Sequence, residues 1–315
     1  MISAMPGDER LREEQTRRLS RRAILRLGIG AAAGTAGAYA VGSALLDPPV
    51  TTPPMAMTSV GAPLAPPPPL EPAAPVSAPA PTYVSGSFVS AARGGVATNW
   101  AIARPPGETG PLRPVIALHG KGQDAAGVMA GGVEQGLAQA VAEGIPPFAV
   151  VAVDGGGGYW HKRAAGEDSG AMVLNELIPM LSGQGLDTSR VGFLGWSMGG
   201  YGALLLGARL GAPRTAAICA VSPALWTSSG ATAPGAFDGS DDYAANSVWG
   251  LPALASIPIR IDRGNSDPFI AATKQYVAQL PNPPAGGFSP GGHDGTFWSS
   301  QLPAEIAWMA PLLVA

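Results

Sequence analysis

The chain has 315 residues and a formal net charge of −3, and only 13% of its residues are charged. This length is sufficient for one large α/β domain with appendages, and no basic patch outside the N-terminus indicates a nucleic-acid partner. A single cysteine, Cys219, excludes an internal disulfide, and its apolar surroundings predict a buried strand residue rather than a nucleophile. The three histidines are far apart in the sequence, so we expect neither a metal site nor a cofactor.

Residues 1–46 have the features of an export signal. The run S-R-R-A-I-L-R at residues 20–26 resembles the twin-arginine motif S-R-R-x-F-L-K, and residues 27–46 carry no charge. The A-Y-A sequence at residues 38–40 offers a cleavage site. We therefore expect the twin-arginine translocase as a partner and a protein that is secreted or associated with the cell envelope. An uncleaved membrane anchor is the alternative, because an uncharged run of this length can span a bilayer.

Residues 47–81 read as a linker. Thirteen of these 35 residues are proline, including four in succession at residues 66–69. Proline lacks an amide donor and has a fixed φ angle, so such a segment favours an extended, disordered chain. We interpret it as a spacer that holds the following domain away from a membrane or cell wall.

A catalytic domain is expected over residues 82–315. Alternating or continuous apolar runs predict strands at residues 83–90, 96–104, 114–120, 148–153, 216–221 and 257–262, and a further short strand that begins at residue 191. Helices are expected at residues 125–143, 170–181, 267–280 and 296–313, and residues 191–203 predict a short strand, a tight turn and then a small-residue helix. This alternation predicts an α/β fold, with a mostly parallel sheet and helices on both faces. In such sheets ligands bind at the carboxyl ends of the strands.

The candidate nucleophile is Ser197, in the sequence G-W-S-M-G-G that follows the fifth predicted strand. A G-x-S-x-G motif between a strand and a helix is typical of a nucleophile elbow, in which the serine hydroxyl is exposed at the tip of the sheet. A serine hydroxyl is a poor nucleophile until a base takes its proton during attack. The assignment therefore requires a histidine and a carboxylate later in the chain.

Both groups follow in the order of the α/β-hydrolases, with Asp267 as the candidate acid and His293 as the candidate base. Imidazole titrates near neutrality and can pass the proton to a leaving group, and a carboxylate stabilises the imidazolium that forms. Asp262 is the rival acid, and the residues at 238, 241 and 242 form a more distant acidic cluster. A helix N-cap is the alternative role for Asp267.

An oxyanion hole requires two backbone N–H groups that point at the developing negative charge. We expect one donor at Met198, directly after the nucleophile, and the other at Lys121, with Gly120 as the alternative. His119 is expected to shape this loop rather than to act as a second base.

Residues 225–256 form an insertion that predicts a small cap over the site. Its aromatic residues either line an acyl pocket or pack against one another. Candidate substrate contacts are Trp226 and Trp249 in this cap, and Trp196 beside the nucleophile.

The domain resembles the putative esterase family of α/β-hydrolases, which includes the S-formylglutathione hydrolases (esterase D) and the antigen 85 mycolyltransferases. In esterase D relatives, the pattern D-x-G-x-x-D-x-F places the acid at its second aspartate, which implies Asp267 here. The segment D-Y-A-A-N-S-V-W-G at residues 242–250 is similar to one in antigen 85. The motifs that carry the resemblance are G-W-S-M-G-G at 195–200, N-E-L-I-P at 175–179, I-D-R-G-N-S-D-P-F at 261–269 and G-G-H-D at 291–294.

These observations predict an exported serine esterase that acts on short or medium acyl esters through an acyl-enzyme on Ser197. The resemblance implies an ester substrate, including a lipid or an acylated sugar. A cell-envelope acyltransferase that uses a sugar hydroxyl instead of water is the second reading, since both share the first half-reaction. A non-catalytic wall or host-binding protein on a hydrolase scaffold is the third, and a complete triad disfavours it.

Overall fold

The computed structural model describes residues 82–315, which form an eight-stranded sheet with helices on both faces. The expected export signal at residues 1–46 and linker at residues 47–81 lie outside the described residues. Within the described range, no helix is both long enough and apolar enough to cross a membrane.

The sheet has the strand order β1-β2-β4-β3-β5-β6-β7-β8. β1 pairs antiparallel with β2, β2 pairs antiparallel with β4, and β3 to β8 run parallel to one another. The mostly parallel α/β fold predicted from the sequence is therefore confirmed. The strands are β1 (Tyr83–Ser90), β2 (Val96–Ala103), β3 (Pro114–Leu118), β4 (Ala149–Val153), β5 (Val191–Trp196), β6 (Thr215–Val221), β7 (Ile259–Gly264) and β8 (Ala285–Ser289).

Helices cover the sheet on both sides, and every residue of β3, β4, β5 and β6 is buried. The helices are α1 (Ala125–Ala130), α2 (Val133–Ala142), α3 (Ser169–Ala171), α4 (Ile178–Leu181), α5 (Met198–Leu210), α6 (Ser240–Ala245), α7 (Ile270–Gln279) and α8 (Gly295–Val314). A π-helical segment, Met172–Leu177, joins α3 to α4. Four helices, α3, α4, α5 and α7, pack on one face of the sheet. The helices α1, α2 and α8 pack on the other face.

Two local predictions were wrong. The helix expected over residues 125–143 is interrupted between α1 and α2, because Gly132 has a φ of 95° that a right-handed helix cannot include. The edge strand β8 was not predicted at all. Its sequence, A-G-G-F-S, carries no apolar alternation, and it joins the sheet through backbone pairing with β7.

The expected cap, residues 225–256, runs between β6 and β7. It contains α6 and two short 3-10 turns, and side chains from the main domain hold it in place. The Tyr201 hydroxyl donates to the carbonyl of Asn246 at 2.5 Å, and the Arg209 guanidinium donates to the Asn246 side chain at 2.7 Å. Arg163 forms an ion pair with Asp238 at 2.6 Å. The cap is thereby fixed above the carboxyl end of the sheet.

Candidate active site

Ser197 lies in a sharp turn between β5 and α5. Its φ is 55° and its ψ is −114°, a conformation that is strained for a residue with a side chain. The turn is tight enough to require glycine on both sides. A Cβ at Gly195 would overlap the carbonyl of Gly199, and a Cβ at Gly199 would overlap the carbonyl of Leu118. The elbow geometry expected from the motif is present, and it holds the hydroxyl at the carboxyl end of β5.

A continuous chain of hydrogen bonds connects Ser197, His293 and Asp267. The Ser197 hydroxyl lies 2.8 Å from His293 Nε2, and His293 Nδ1 lies 2.7 Å from Asp267 Oδ2. With the imidazole proton on Nδ1, the histidine donates to the carboxylate and accepts from the serine. The three residues follow β5, β7 and β8, whose carboxyl ends meet at one edge of the sheet. Positions up to 96 residues apart in sequence therefore converge.

Asp267 is buried and is held as a carboxylate by several donors. The Arg263 guanidinium and the backbone N–H of Phe269 both donate to Oδ1, the latter at 2.8 Å. Burial acts to raise the pKa of Asp267, but the hydrogen bond from His293 and the charge of Arg263 outweigh it, so the pKa is lowered. The acid is therefore ionised at neutral pH, as the orienting group of such a triad must be.

Arg263 contacts the candidate acid and was not predicted from the sequence as a site residue. Its side chain is fully buried, and it bonds to the Asp267 carboxylate and to the carbonyl of Pro223. Burial lowers its pKa to about 10, which still leaves it charged at neutral pH. The available signal was an arginine within an otherwise buried strand, since such a charge requires a buried partner.

The rival acids do not reach His293. Asp262 bonds to the Arg260 guanidinium, with Nε to Oδ2 at 2.5 Å. Asp238 binds Arg163 in the ion pair that anchors the cap, and the backbone carbonyl and carboxylate of Asp242 both accept from the Asn246 side-chain amide within it. Among the candidate acids, Asp267 is the one that the fold brings to the imidazole.

His293 lies between two aromatic rings. The Phe269 ring is 5.4 Å from the imidazole centroid at an angle of 50°, and the Trp298 ring is 5.4 Å away at 86°. Trp298 was not among the predicted site residues. Its place on α8, five residues after the histidine, gave no motif from which a contact with the base could be inferred.

The loop after β3 lies directly beside the nucleophile. A Cβ built at Gly120 would be 3.7 Å from the Ser197 Cβ and 3.5 Å from the Trp196 carbonyl. Met198 is the first residue of α5, so its N–H has no acceptor within the helix. Met198 and the loop that contains Gly120 and Lys121 thus lie next to Ser197, where we expected the two oxyanion donors.

Side chains hold this loop in place from both ends. His119 is buried, and its Nδ1 donates to the Gly120 carbonyl at 2.8 Å while its Nε2 accepts from the Gly155 N–H at 2.9 Å. The exposed Lys121 side chain reaches the cap, where Nζ donates to the Pro234 carbonyl at 3.3 Å. His119 therefore has the loop-shaping position that we expected.

The predicted substrate residues separate into two groups. In the cap, the Trp249 indole and the Tyr243 hydroxyl both donate to the Trp226 carbonyl, at 2.8 Å and 2.7 Å, and the Trp249 ring packs on Tyr276 at 5.1 Å. Trp226 and Trp249 thus pack within the cap and against α7. Trp196 instead lines a separate, open groove.

This groove has a volume of about 410 Å³. Its apolar walls include Trp196, Trp298, Val128 and Leu302, with the polar side chains of Gln123 and Ser299 among them. It lies between α1 and α8, and its wall residue Trp298 also contacts His293.

One group in the described part of the chain has metal-ligating atoms close together. Atoms of Cys219, Asp262 and Glu305 lie within 4.8 Å of one another, and all three residues are buried. Burial raises the pKa of the Cys219 thiol and of the Glu305 carboxyl well above their usual values. Since metal ligands must be deprotonated and Asp262 is already paired with Arg260, this group is a poor metal site.

Comparisons with known proteins agree with this geometry. The family described as putative esterase matches residues 97–309. A ferulic acid esterase structure aligns with a TM-score of 0.63 at 18% identity, covering 73% of this chain and 98% of that one. The S-formylglutathione hydrolase of Staphylococcus aureus aligns at 0.57 and 17%, covering 72% and 98%. MPT51 of Mycobacterium tuberculosis aligns at 0.57 and 18%, covering 74% and 100%. A sequence search of curated proteins finds no match.

The contacts of His119 generate a prediction about pH. Burial lowers the pKa of His119 from its ordinary value of 6.5, and its Nε2 must stay unprotonated to accept from Gly155. A lowered native pKa gives stability that is complete above pH 6.5 and is lost as the pH falls through the native value. We expect the free energy of unfolding, measured by urea denaturation, to decrease from pH 7 to pH 5.

His119→Gln keeps one donor and one acceptor but does not titrate in this range. The pH slope should become shallower by up to about 1.4 kcal/mol per pH unit, the value for one proton. An unchanged slope in the variant would contradict the assignment to His119.

Proposed function

The chain belongs to the putative esterase family, and we propose on that premise that it hydrolyses short or medium acyl esters through an acyl-enzyme on Ser197. Its membership makes it a serine hydrolase of carboxylic esters. The observation that supports the assigned residues is the hydrogen-bond chain from Ser197 through His293 to the ionised Asp267. We assign these residues the roles of nucleophile, base and orienting acid.

The proposed reaction begins when the Ser197 hydroxyl attacks the ester carbonyl and its proton passes to His293 Nε2. Asp267 stabilises the imidazolium. The negative oxygen of the tetrahedral intermediate is held by the N–H groups of Met198 and of Lys121 or Gly120. As the intermediate collapses, the carbon–oxygen bond of the ester breaks and His293 gives its proton to the leaving alcohol. Water then attacks the acyl-enzyme by the reverse route and releases the acid.

We also propose that the protein is exported by the twin-arginine route to the cell exterior or envelope. The support for this lies in residues 20–46, with the paired arginines Arg21 and Arg22 ahead of an uncharged run. An acyl acceptor other than water, such as a sugar hydroxyl, would follow the same first half-reaction and is distinguished by the assay below.

The nucleophile assignment is tested on p-nitrophenyl esters of increasing acyl length. We expect the full chain to hydrolyse the short esters and Ser197→Ala to lose activity by about 10³-fold or more. Activity that persists in the variant would refute Ser197 as the nucleophile. If hydrolysis is absent in both proteins but acyl transfer to added trehalose occurs, the acceptor is a sugar and the esterase proposal is wrong.

The acid assignment is tested with a matched pair of variants. Asp267→Asn removes the charge that stabilises the imidazolium, so kcat/KM should fall by about 10²–10⁴-fold. Asp262→Asn, at a carboxylate paired with Arg260, should change it less than about 5-fold. Circular dichroism establishes that both variants are folded. The opposite ranking would transfer the role to Asp262.

Export is tested by replacing Arg21 and Arg22 with lysine and following the protein in cell fractions. The variant should accumulate in the cytoplasm, because the paired arginines are the recognition element of this route. Secretion at the level of the unmodified chain would rule the twin-arginine route out.

A further inference from the structure

The groove lined by Trp196 and Trp298 lies near the residues that we assign to catalysis, so it can hold one half of an ester substrate. Trp196, which precedes the nucleophile, forms one wall, and Trp298, which packs on His293, forms another. Gln123 lies on the loop that flanks the serine, with its Oε1 3.4 Å from the position of a Cβ at Gly120. Residues that line the groove therefore precede the nucleophile, contact the base and belong to the oxyanion loop.

The alcohol half of the ester must lie next to the base. In the proposed reaction, His293 Nε2 must reach the oxygen of the departing alcohol to protonate it. The imidazole contacts Phe269, which itself packs on Trp226 at 5.6 Å. It also contacts Trp298, and this side chain lines the open groove. Trp298 thus connects the base to a groove with space for an alcohol.

The lining of the groove favours a flat apolar group. Its lining includes two indoles, Val128 and Leu302, and three lining positions are glycine, at residues 127, 131 and 295. Aromatic rings prefer offset or edge-to-face contacts with such indoles and gain energy from burying their large surfaces. The polar side chains of Gln123 and Ser299 can hydrogen-bond a substituent on the ring.

The cap side offers much less room for the acyl half. Phe237 packs on Trp226 at 6.0 Å and on Tyr243 at 5.2 Å, and the space among these rings and Trp249 is about 180 Å³. The cap aromatics therefore fill their own interior, and a small acyl group fits this side better than a long one.

Resting on the esterase function proposed above, we propose that the groove between Trp196 and Trp298 binds the leaving alcohol, and that the preferred substrates are small-acyl esters of aryl alcohols. Trp298 then has two roles, since it packs on the base and forms a wall of the alcohol site. It is a specificity-determining residue that the family motifs do not include.

Gly295 provides the test. It lines the groove at the start of α8, and a Cβ built there has no atom within 4 Å and no positive φ to strain. Gly295→Phe should therefore fill the groove without disturbing the fold. Ser299→Phe, one turn later on the same helix face, is the second filling variant. Thr296→Phe is the matched control, because Thr296 is exposed on the same turn but does not line the groove.

The measurement compares two substrate series, acetates of ethanol, phenol and 2-naphthol, and p-nitrophenyl esters of acetate, butyrate and hexanoate. In the filled variants, kcat/KM for 2-naphthyl acetate should fall about 10-fold relative to ethyl acetate, while the acyl preference stays constant. Thr296→Phe should leave both preferences unchanged. A shift in the acyl preference alone would place the acyl half in the groove and overturn the inference, as would unchanged preferences in both series.

A binding measurement separates this inference from the esterase function. Titration of Ser197→Ala with 2-naphthol by calorimetry should show binding, and adding Gly295→Phe should weaken it about 10-fold. If the wild-type chain hydrolyses no ester but this difference is found, the esterase function is wrong and the groove remains a site that binds an aryl alcohol. If esters are hydrolysed and 2-naphthol binds equally to both variants, the alcohol site is wrong and the function stands.

Discussion

The backbone contact between α5 and β3 is the constraint on which the site depends. Because Gly199 has no side chain, the first turn of α5 can approach the carbonyl of Leu118 more closely than any other residue would allow. This approach places Ser197 in its strained turn and brings the loop of Gly120 beside it. Nucleophile and oxyanion loop are thus arranged by one contact between main chains, with no side chain between them to adjust.

A second, electrostatic constraint fixes the acid. An isolated buried arginine would be costly, but Arg263 is neutralised by Asp267 and also bonds the Pro223 carbonyl, so it connects the turn after β7 to the turn after β6. Asp267 uses its other oxygen for His293. The acid is therefore positioned from the interior, and its two oxygens serve different partners.

Features that short sequence patterns encode were predicted well, and features that depend on tertiary contacts were predicted poorly. The elbow and the parallel sheet arise from short patterns, so the fold and the family were predicted correctly, and the catalytic roles stay predictions supported by geometry. Arg263 and Trp298 were not predicted as site residues, because no motif links them to Asp267 and His293 and each contact depends on how the chain folds after β7 and β8. The helix break at Gly132 and the strand β8 were not predicted, because glycine-rich segments show no periodic pattern of apolar residues. Trp226 was a candidate substrate contact, and in the fold its ring packs on Phe237 of the cap and on Phe269 outside it.

The position of β8 at the edge of the sheet affects how the protein loses the arrangement of its proposed active site. Within the described residues β8 pairs with β7 alone, whereas β5, which carries Ser197, is paired on both sides. Segments with one-sided pairing open at a lower free energy than the interior of a sheet. Detachment of this margin would carry His293 away from Ser197 while the remaining strands keep their pairing. We therefore expect a sub-global opening at this edge to limit the lifetime of the proposed active arrangement before the whole domain unfolds.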